Sequence, residues 1–416
     1  MERQPTFPHQ IITLILVLSA QIYFCAASLR LKSVKNLKME LERIEYDKFV
    51  TPTQELDSEE AISVQLSIYV EALSSFQPTT MSYDMDIYLK LYWSDERLNH
   101  SSASYVQTHE PQILDLLWHP DLYFSNSKEA SFQEVTVPNT LLRIQPNGTI
   151  YLSRRIRLTL ACNMRLTGFP MDAQNCSVKI LSYSHTVEKL IVEWLEGDPF
   201  TIADSIELAD FKLLGKVTTY CNGVYSSGNF SCLEGILLLH RLSGYHLYQT
   251  YLPSACIVMI SWIGFFVNPT AVPARVTLSI TTLLTLSTQA SGIRTALPPV
   301  SYTKAIDIWM SVCVGFVVGA LLEFTFVNML LERSKAKSRK AVVEIARSAT
   351  EPISDSQQLE LKPKADVDTP KVKGSRGRWL AFHSAEALDK SSRYAFPLAF
   401  LAFNLFYWIK FTPVLK

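Results

Sequence analysis

The sequence lacks a net charge, because its 39 Lys and Arg residues balance its 39 Asp and Glu residues. No bulk basic surface is therefore available for nucleic acid, and we expect no nucleic-acid partner. The sequence also lacks an internal repeat, a nucleophile motif, a metal pair, a phosphate-binding loop and any ligand cluster with the spacing of a structural zinc site. These absences argue against an enzyme, a bound cofactor and a metal centre.

Long apolar runs are absent from the amino terminus, but a short one occupies residues 11–27, follows a polar start and ends in small residues. This pattern is typical of a secretory signal peptide, so we predict that residues 1–27 are removed and that the mature chain begins outside the cell. A retained membrane anchor is the alternative, although no basic stop-transfer cluster adjoins the run.

Cysteine is scarce, with seven residues, and three of them (Cys25, Cys256 and Cys313) lie in apolar segments. The other four lie in the predicted extracellular region and suggest two disulfides. They are Cys162, Cys176, Cys221 and Cys232. Three pairings are possible, and the simplest joins the first to the second and the third to the fourth. Four N-x-S/T sequons, at Asn99, Asn147, Asn175 and Asn229, predict glycosylation in the same region.

Residues 28–244 are predicted to form an extracellular β-sandwich domain. From about residue 55 onward, short runs such as SVQLSIYV, MDIYLKLYW and LIVEW are rich in β-branched and aromatic residues, and Pro, Gly, Asn and Asp separate them. Such runs predict antiparallel strands with alternating faces, and their spacing leaves little room for crossover helices.

Four apolar segments follow, at residues 247–267, 273–297, 304–330 and 394–412. Each is long enough to cross a hydrocarbon core, which needs about 20 helical residues. We predict three transmembrane helices within 245–332, a cytoplasmic and mostly disordered basic linker at 333–392, and a fourth helix with an extracellular carboxyl terminus at 393–416.

The second apolar segment is rich in hydroxyl groups. Thr277, Thr281, Leu284 and Thr288 are spaced by four, three and four residues, which places them on one helical face. A hydroxyl stripe broken by one leucine suits a helix that lines a water-filled pore. The alternative is that these hydroxyls bond to the helix backbone or to neighbouring helices.

Arg275 and Arg294 bracket this stripe, and no acidic residue lies between residues 272 and 303. Each arginine could be an anchor that reaches the membrane surface. In a symmetric ring of subunits, however, the repeated positive charge would favour anions.

Several motifs together resemble those of one receptor family. Cys162 and Cys176 enclose the thirteen residues NMRLTGFPMDAQN, with Phe-Pro-Met-Asp inside. Further matches are W-x-P-D at 118–121, R-I-x-P-N-G at 143–148, P-A-R at 273–275, S-Y-T-K-A-I-D-I-W at 301–309 and F-P-L-A-F-L-A-F-N-L-F-Y-W at 396–408. The chain resembles the Cys-loop receptors, which are pentameric ligand-gated ion channels, and within them the anion-selective branch. It is most similar to glycine receptors and to invertebrate glutamate-, histamine- and pH-gated chloride channels.

The resemblance implies a four-helix transmembrane bundle below the β-sandwich, and a homo- or hetero-pentamer of related subunits in the plasma membrane of a postsynaptic or an epithelial cell. A small extracellular agonist would open a pore for chloride within the lipid bilayer. Pro273 and Ala274 match the anion-channel motif, because cation-selective relatives carry a glutamate where Ala274 stands. The alternatives are a modulatory or non-conducting subunit that needs a partner, and a channel gated by protons or zinc.

Agonist in this family binds between two subunits, and the resemblance assigns residues to both faces of that interface. The principal face carries Tyr123, Ser182, Tyr183, Tyr225, Ser227 and Phe230, and the complementary face carries Tyr88, Lys90, Ser153 and Arg155. Cys221 and Cys232 resemble the second loop disulfide of glycine-, glutamate- and histamine-gated members.

Two positions depart from the pattern of glutamate-gated relatives. Lys90 replaces the arginine that grips the agonist carboxylate in glycine-gated and glutamate-gated relatives, which keeps the charge but loses the two-pronged geometry. Glu71 stands where glutamate-gated relatives carry a second arginine. Glutamate is therefore only one candidate, beside histamine or another amine. His185 and Glu71 together form a hypothetical proton or metal site, although a solvated loop histidine is the simpler interpretation.

The resemblance also implies how binding would reach the pore. Residues of the first cysteine loop, Phe169, Pro170 and Asp172, would act with Arg241 against the link that contains Pro298 and Tyr302. That contact would move the ring of Leu284, the expected gate, and chloride would pass the Arg275 end of the helix.

Overall fold

The structure is a computed structural model that describes residues 37–39, 41–55, 60–100, 104–221, 223–348 and 375–412. The predicted signal peptide lies outside the described residues. The chain divides into two compact units. The first comprises Met1–Met164 and Ala173–His240, and the second comprises Arg165–Asp172 and Arg241–Lys416.

In the part of the chain that the structure describes, the first unit contains two main sheets and a short hairpin. Its larger sheet contains β1 (Ile62–Gln77), β2 (Ser82–Ser94), β3 (Val106–Thr108), β5 (Ser127–Phe132), β6 (Thr140–Ile144), β7 (Thr149–Ala161), β9 (Leu190–Trp194) and β10 (Phe200–Ile202). Its smaller sheet contains β4 (Leu122–Phe124), β8 (Ala173–Ser182), β11 (Phe211–Tyr220) and β14 (Cys232–Arg241). The hairpin pairs β12 (Val224–Tyr225) with β13 (Gly228–Asn229), and the short helices α1 (Pro52–Glu55) and α2 (Pro111–Leu114) lie in connections.

Strand order in the larger sheet is β10-β1-β2-β7-β6-β3, with β9 on β1 and β5 on β7, and the smaller sheet runs β11-β14-β8-β4. Apolar alternation puts one face of the long strands β2 and β7 into the core, where buried and partly exposed residues alternate. Phe76 of β1 packs on Phe211 of β11, with ring centroids 5.2 Å apart. The unit is therefore the β-sandwich that the sequence predicted.

Two disulfides, Cys162–Cys176 and Cys221–Cys232, form in the first unit, with Cα atoms 5.1 and 5.0 Å apart. The simplest pairing predicted from the sequence is confirmed. The four sequon asparagines are all exposed. Their glycosylation stays a prediction.

The described residues of the second unit form four long helices: α3 (Gly244–Phe266), α4 (Val272–Thr295), α5 (Ala305–Ser348) and α6 (Ser375–Phe411). Three segments of the described residues, Gly244–Phe266, Ala305–Arg333 and Ala387–Phe411, are long and apolar enough to cross a membrane. α4 does not reach that hydropathy because of its threonines and serines. Trp309 of α5 lies at the centre of the aromatic core, with its indole nitrogen donating to Ser254 Oγ of α3 at 2.8 Å.

The predicted disorder of the 333–392 linker is wrong at both of its ends. α5 continues to Ser348, and α6 begins at Ser375. The segment SKAKSRKAVVEIA is rich in Ala, Lys, Arg and Glu, which favour a helix even without burial, so the charge that suggested disorder is compatible with a helical extension. Residues 349–374 lie outside the described residues.

Candidate functional site: an aromatic cluster, a basic sheet face and a hydroxyl-bearing helix

Four aromatic side chains assigned to the principal face come together at one end of the smaller sheet. Tyr123 of β4 and Tyr183, which follows β8, meet edge to face with centroids 5.6 Å apart. Tyr225 of β12 and Phe230 meet in the same way at 5.9 Å. The pKa of Tyr123 is raised, chiefly by burial and further by the neighbouring Tyr225 and Tyr183. Its hydroxyl group therefore stays neutral and can donate a hydrogen bond. Tyr183 is 75% exposed and Tyr225 is 50% exposed, which is unusual for packed aromatics and suits a surface that receives a ligand.

Ser182 corrects one detail of the sequence prediction. Its side chain is 1% exposed, and its hydroxyl donates to Asp121 Oδ1 at 2.7 Å while accepting the His185 backbone N–H at 3.1 Å. The hydroxyl is thus engaged within the chain and is not available to an agonist. Asp121 also accepts from the Ser184 backbone and hydroxyl. Asp121, which ends the W-x-P-D motif, therefore fixes the loop that carries Tyr183.

Ser227 lies in the two-residue turn of the β12–β13 hairpin and is exposed. The hairpin is enclosed by the Cys221–Cys232 disulfide. Gly228, with φ +138°, follows the turn, and a Cβ there would come within 2.9 Å of Thr186 Cγ2. Only glycine fits that backbone without strain, so the turn geometry is set by this residue.

The four residues assigned to the complementary face lie side by side on the larger sheet. Tyr88 is directly opposite Arg155, and Lys90 is opposite Ser153, across the β2–β7 pair. The Arg155 guanidinium lies 5.6 Å from the Tyr88 ring centroid. Residues at i and i+2 share a face of a strand. The side chains of Tyr88, Lys90 and Arg155 therefore lie on one face of the sheet and form a basic patch.

Tyr69 of β1 completes this patch and was not singled out from the sequence. It is opposite Tyr88, with centroids 6.1 Å apart, and the Lys90 ammonium lies 5.7 Å from its ring. The signal was available, because Tyr69 falls in register with other outward residues of β1. The basic patch and the aromatic cluster belong to different sheets of the unit.

Glu71 and His185 are not brought together by any contact within the chain. Glu71 is exposed at a β-bulge of β1, where the register with β2 shifts between Val70 and Ala72. His185 packs near Trp118, with centroids 6.4 Å apart. In the described part of the chain, no group of three or more His, Cys, Asp or Glu residues could hold a metal ion.

Helix α4 divides into a buried and an exposed face. The predicted stripe, Thr277, Thr281, Leu284 and Thr288, is exposed along its whole length, as are Pro273, Ala274 and Arg294. The opposite face, Arg275, Ser279, Thr282 and Leu286, is buried against the other helices. Thr281 Oγ1 donates to the Thr277 carbonyl at 2.8 Å and Thr288 Oγ1 donates to the Thr285 carbonyl at 2.9 Å. The stripe is therefore exposed, and the hydroxyl groups of Thr281 and Thr288 already donate to the helix backbone.

Arg275 does not share the exposed face, which corrects the interpretation of both arginines as charges at the ends of the stripe. Its side chain is 1% exposed and forms an ion pair with Asp389 of α6, Nη2 to Oδ2 at 2.9 Å. Its Nε donates to the Val267 carbonyl at 3.0 Å. The charge is thus neutralised inside the subunit, because a buried guanidinium needs a partner.

The tip of the first cysteine loop clusters with the residues predicted to couple binding to the pore. Arg241 is paired with Asp172 through two bonds, Nε to Oδ1 at 2.8 Å and Nη2 to Oδ2 at 3.2 Å, and both side chains are almost fully buried. Arg241 also lies 4.9 Å from the Phe169 ring. Within this unit, the Leu166 N–H donates to the Tyr302 hydroxyl at 3.0 Å.

The loop tip also joins the start of α5. The Ala305 N–H donates to the Thr167 carbonyl at 2.9 Å, and the Ile306 N–H donates to the Phe169 carbonyl at 3.2 Å. These bonds satisfy amino-terminal helix N–H groups that have no intrahelical partner. Pro170 and Pro298 are both buried in the same unit.

Comparisons with known proteins agree with this arrangement. Residues 35–235 match the family model described as the neurotransmitter-gated ion-channel ligand binding domain, and residues 250–378 match the neurotransmitter-gated ion-channel transmembrane region. The chain is similar to the glycine receptor subunit beta-type 4 of Caenorhabditis elegans, with 36% identity over 399 residues that cover 85% of this chain and 84% of that protein. The chain therefore belongs to the neurotransmitter-gated ion channels, the Cys-loop receptor family of pentameric membrane proteins, and is not an enzyme.

Proposed function

We propose that the chain is a subunit of a chloride channel, which opens when a small extracellular agonist binds between adjacent subunits. The observation that carries the proposal is the exposed face of α4, where Thr277, Thr281, Leu284 and Thr288 line up while the opposite face is buried. In a ring of symmetric subunits, hydroxyl-bearing faces turned to the axis give a polar wall for water and ions. The same face would be poorly matched to lipid.

Selectivity for anions is attributed to the backbone at the inner end of α4 and to the absence of carboxylates. No acidic residue occurs between residues 272 and 303, and the amino end of the helix has no side-chain cap. Helix amino termini carry about half a positive charge, which a ring of subunits repeats around the pore. The charge of Arg275 is balanced by Asp389, so the proposed preference for anions is not attributed to that side chain. Arg294 is exposed in the last turn and adds positive charge at the other end.

The agonist site is proposed to form where the aromatic cluster of one subunit faces the basic patch of the next. Aromatic faces attract an ammonium by about 0.5–2 kcal/mol per contact, and Lys90 with Arg155 suits a carboxylate. This combination favours an amino-acid-like zwitterion, in keeping with the similarity to a glycine receptor subunit. The exposed carboxylate of Glu71 would repel a second acidic group, which favours a monocarboxylate over glutamate.

Agonist binding would favour the state in which the β12–β13 hairpin is drawn toward the agonist. An agonist shifts the equilibrium between the two states only by the difference in its affinity for them. The Asp172–Arg241 pair and the bonds from the loop tip to Tyr302 and α5 give a packed route within the helical unit. The ring of Leu284 is the proposed hydrophobic gate, because a ring of leucines excludes water when narrow.

The direct test is expression of the full chain in oocytes under voltage clamp. Application of glycine, other monocarboxylate amino acids, glutamate, histamine, zinc and a pH series should identify an agonist, with monocarboxylates more potent than glutamate. Replacement of external chloride should then move the reversal potential with the chloride equilibrium potential. A reversal potential that ignores chloride contradicts the proposal. Surface protein without current would instead favour a subunit that needs a partner.

A further inference from the structure

One inward position of β7 carries a cation where the strand alternation calls for an aliphatic residue. The other inward positions are at most 5% exposed and carry Ile150, Leu152, Ile156, Leu158 and Leu160. Arg154 stands between Leu152 and Ile156 on the same face, because side chains two residues apart in a strand point the same way. The outward neighbour Arg155 belongs to the basic patch, so adjacent arginines serve opposite faces of the sheet.

Arg154 lines a cavity of about 270 Å³ inside the first unit. Its walls are mainly apolar and include Leu89, Leu91 and Ile156, while His119 and Tyr123 add polar atoms. Ligand sites usually measure about 300–1,000 Å³ and combine apolar walls with a few polar groups. This cavity is slightly smaller than that range and combines the same kinds of wall.

The Arg154 guanidinium is under-partnered in the described part of the chain. Its Nε is buried and has no hydrogen-bond partner there, and the guanidinium lies 4.9 Å from the centroid of the Phe132 ring. Burial lowers the pKa of Arg154, and the exposed Asp115 only partly opposes that effect. A guanidinium presents a planar fork of donors that matches a carboxylate in two-point geometry. The cavity thus holds a positive group, room beside it and apolar walls.

We propose that this cavity is a binding site for a small organic carboxylate with a short apolar body, held by Arg154. The carboxylate would take the two-point hydrogen bonds of the guanidinium, and the hydrocarbon part would lie against Leu89, Leu91 and Ile156. The site is separate from the interface site, because Arg154 and Arg155 face opposite sides of the sheet. Tyr123 belongs both to the cavity lining and to the aromatic cluster, so the occupant touches a side chain that also faces the agonist.

The proposal is tested by ligand-induced stabilisation of the purified full-length protein in detergent. Butyrate is the probe, and butyramide, which has the same shape without the charge, is the control ligand. Butyrate at about ten times its dissociation constant should raise the melting temperature by roughly 2–4 °C, whereas butyramide should not. Arg154→Leu, which restores the aliphatic alternation, should abolish the shift. Arg157→Gln removes an exposed cation of the same strand and should leave the shift unchanged.

Arg154→Gln serves as a second neutral variant if Arg154→Leu does not accumulate as folded protein. A butyrate shift that survives in either folded variant overturns the proposal, and so does the absence of a shift in the unmodified protein. A shift lost equally in Arg157→Gln would show general charge binding and would also overturn it. No current is measured, so the result is independent of whether the channel conducts chloride.

Discussion

Arg275 near the start of α4 is joined to Asp389 of α6 by a two-point ion pair, with Nη1 to Oδ1 at 3.1 Å and Nη2 to Oδ2 at 2.9 Å. The two side chains are 1% and 3% exposed. The base of the helix proposed to line the pore is thus tied to the last helix of the same subunit. A second arginine, Arg393, lies 3.7 Å from the same carboxylate.

We predict that Asp389→Leu destabilises the protein by about 3–5 kcal/mol, because it leaves the Arg275 charge buried without its partner. The double variant Arg275→Met with Asp389→Leu should recover most of that loss, since two apolar groups of similar volume need no pairing. Thermal unfolding of the purified protein measures both effects. Lys390→Leu, at the exposed neighbouring position, is the control and should change little. Equal losses in the single and double variants would contradict the prediction.

Ala274→Glu should weaken the preference for anions, because it adds a carboxylate to an exposed position in the first turn of α4. The measurement is the shift in reversal potential when external sodium chloride is diluted. Ala274→Gln has nearly the same shape without the charge and should keep the unmodified reversal potential. The Arg275→Met and Asp389→Leu pair should likewise keep it, which separates the buried pair from selectivity.

Leu284→Ser should make the channel easier to open, because it removes the apolar side chain from the proposed gate. Leu284 is 63% exposed in the single chain, so the change does not disturb the subunit core. If the substitution destabilises the closed state by about 1.4 kcal/mol relative to the open state, the agonist concentration for half activation should fall about tenfold. Leu286→Ser, at a fully buried position two residues further along the helix, should instead reduce surface expression. An unchanged concentration dependence in Leu284→Ser would argue against this gate.

Lys90→Gln should raise the agonist concentration for half activation by about 10- to 100-fold, since a hydrogen bond to a charged group contributes roughly 1.5–3 kcal/mol. Concentration–response curves measure the change, and the maximal current should remain. Lys212→Gln removes an exposed lysine of β11 and is the matched control. Equal sensitivity in both variants would place the carboxylate contact elsewhere.

Asp172→Asn and Arg241→Gln should each reduce the maximal current per surface receptor, because each breaks the ion pair between these two buried side chains. The double variant should lose much less than the sum, with a coupling energy of about 0.5–3 kcal/mol in a double-mutant cycle. Additive losses would mean that the two residues do not act through their contact. Labelling of the receptors at the cell surface measures their number, by which the maximal current of each variant is divided.

Much of the fold follows from local pattern. Period-two alternation predicts β2 and β7, and loop length favours the disulfide pairing that the structure contains. The spacing of Thr277, Thr281, Leu284 and Thr288 predicts one exposed face because helical geometry alone sets it. These features depend on residues that are close in the sequence.

The misses depend on distant partners. Asp389 is 114 residues from Arg275 and lies in the stretch predicted to be a linker, so no local signal could reveal the pair. Ser182 was assigned to the ligand, but its hydroxyl is taken by Asp121, which is 61 residues away. The alternation of β7 predicts that Arg154 points inward, but only its neighbour Arg155 was singled out from the sequence. Which carboxylate accepts from which side chain is decided by tertiary packing.

The low hydropathy of α4 bears on biogenesis. A lone subunit would turn its threonine-bearing face toward hydrocarbon, where polar groups find no water. We expect that exposed face to stay poorly matched to its surroundings until neighbouring subunits shield it, so that assembly in the membrane and completion of folding become one event. Quality control could then act on the unassembled subunit, because what marks it as incomplete is the same surface that later carries ions.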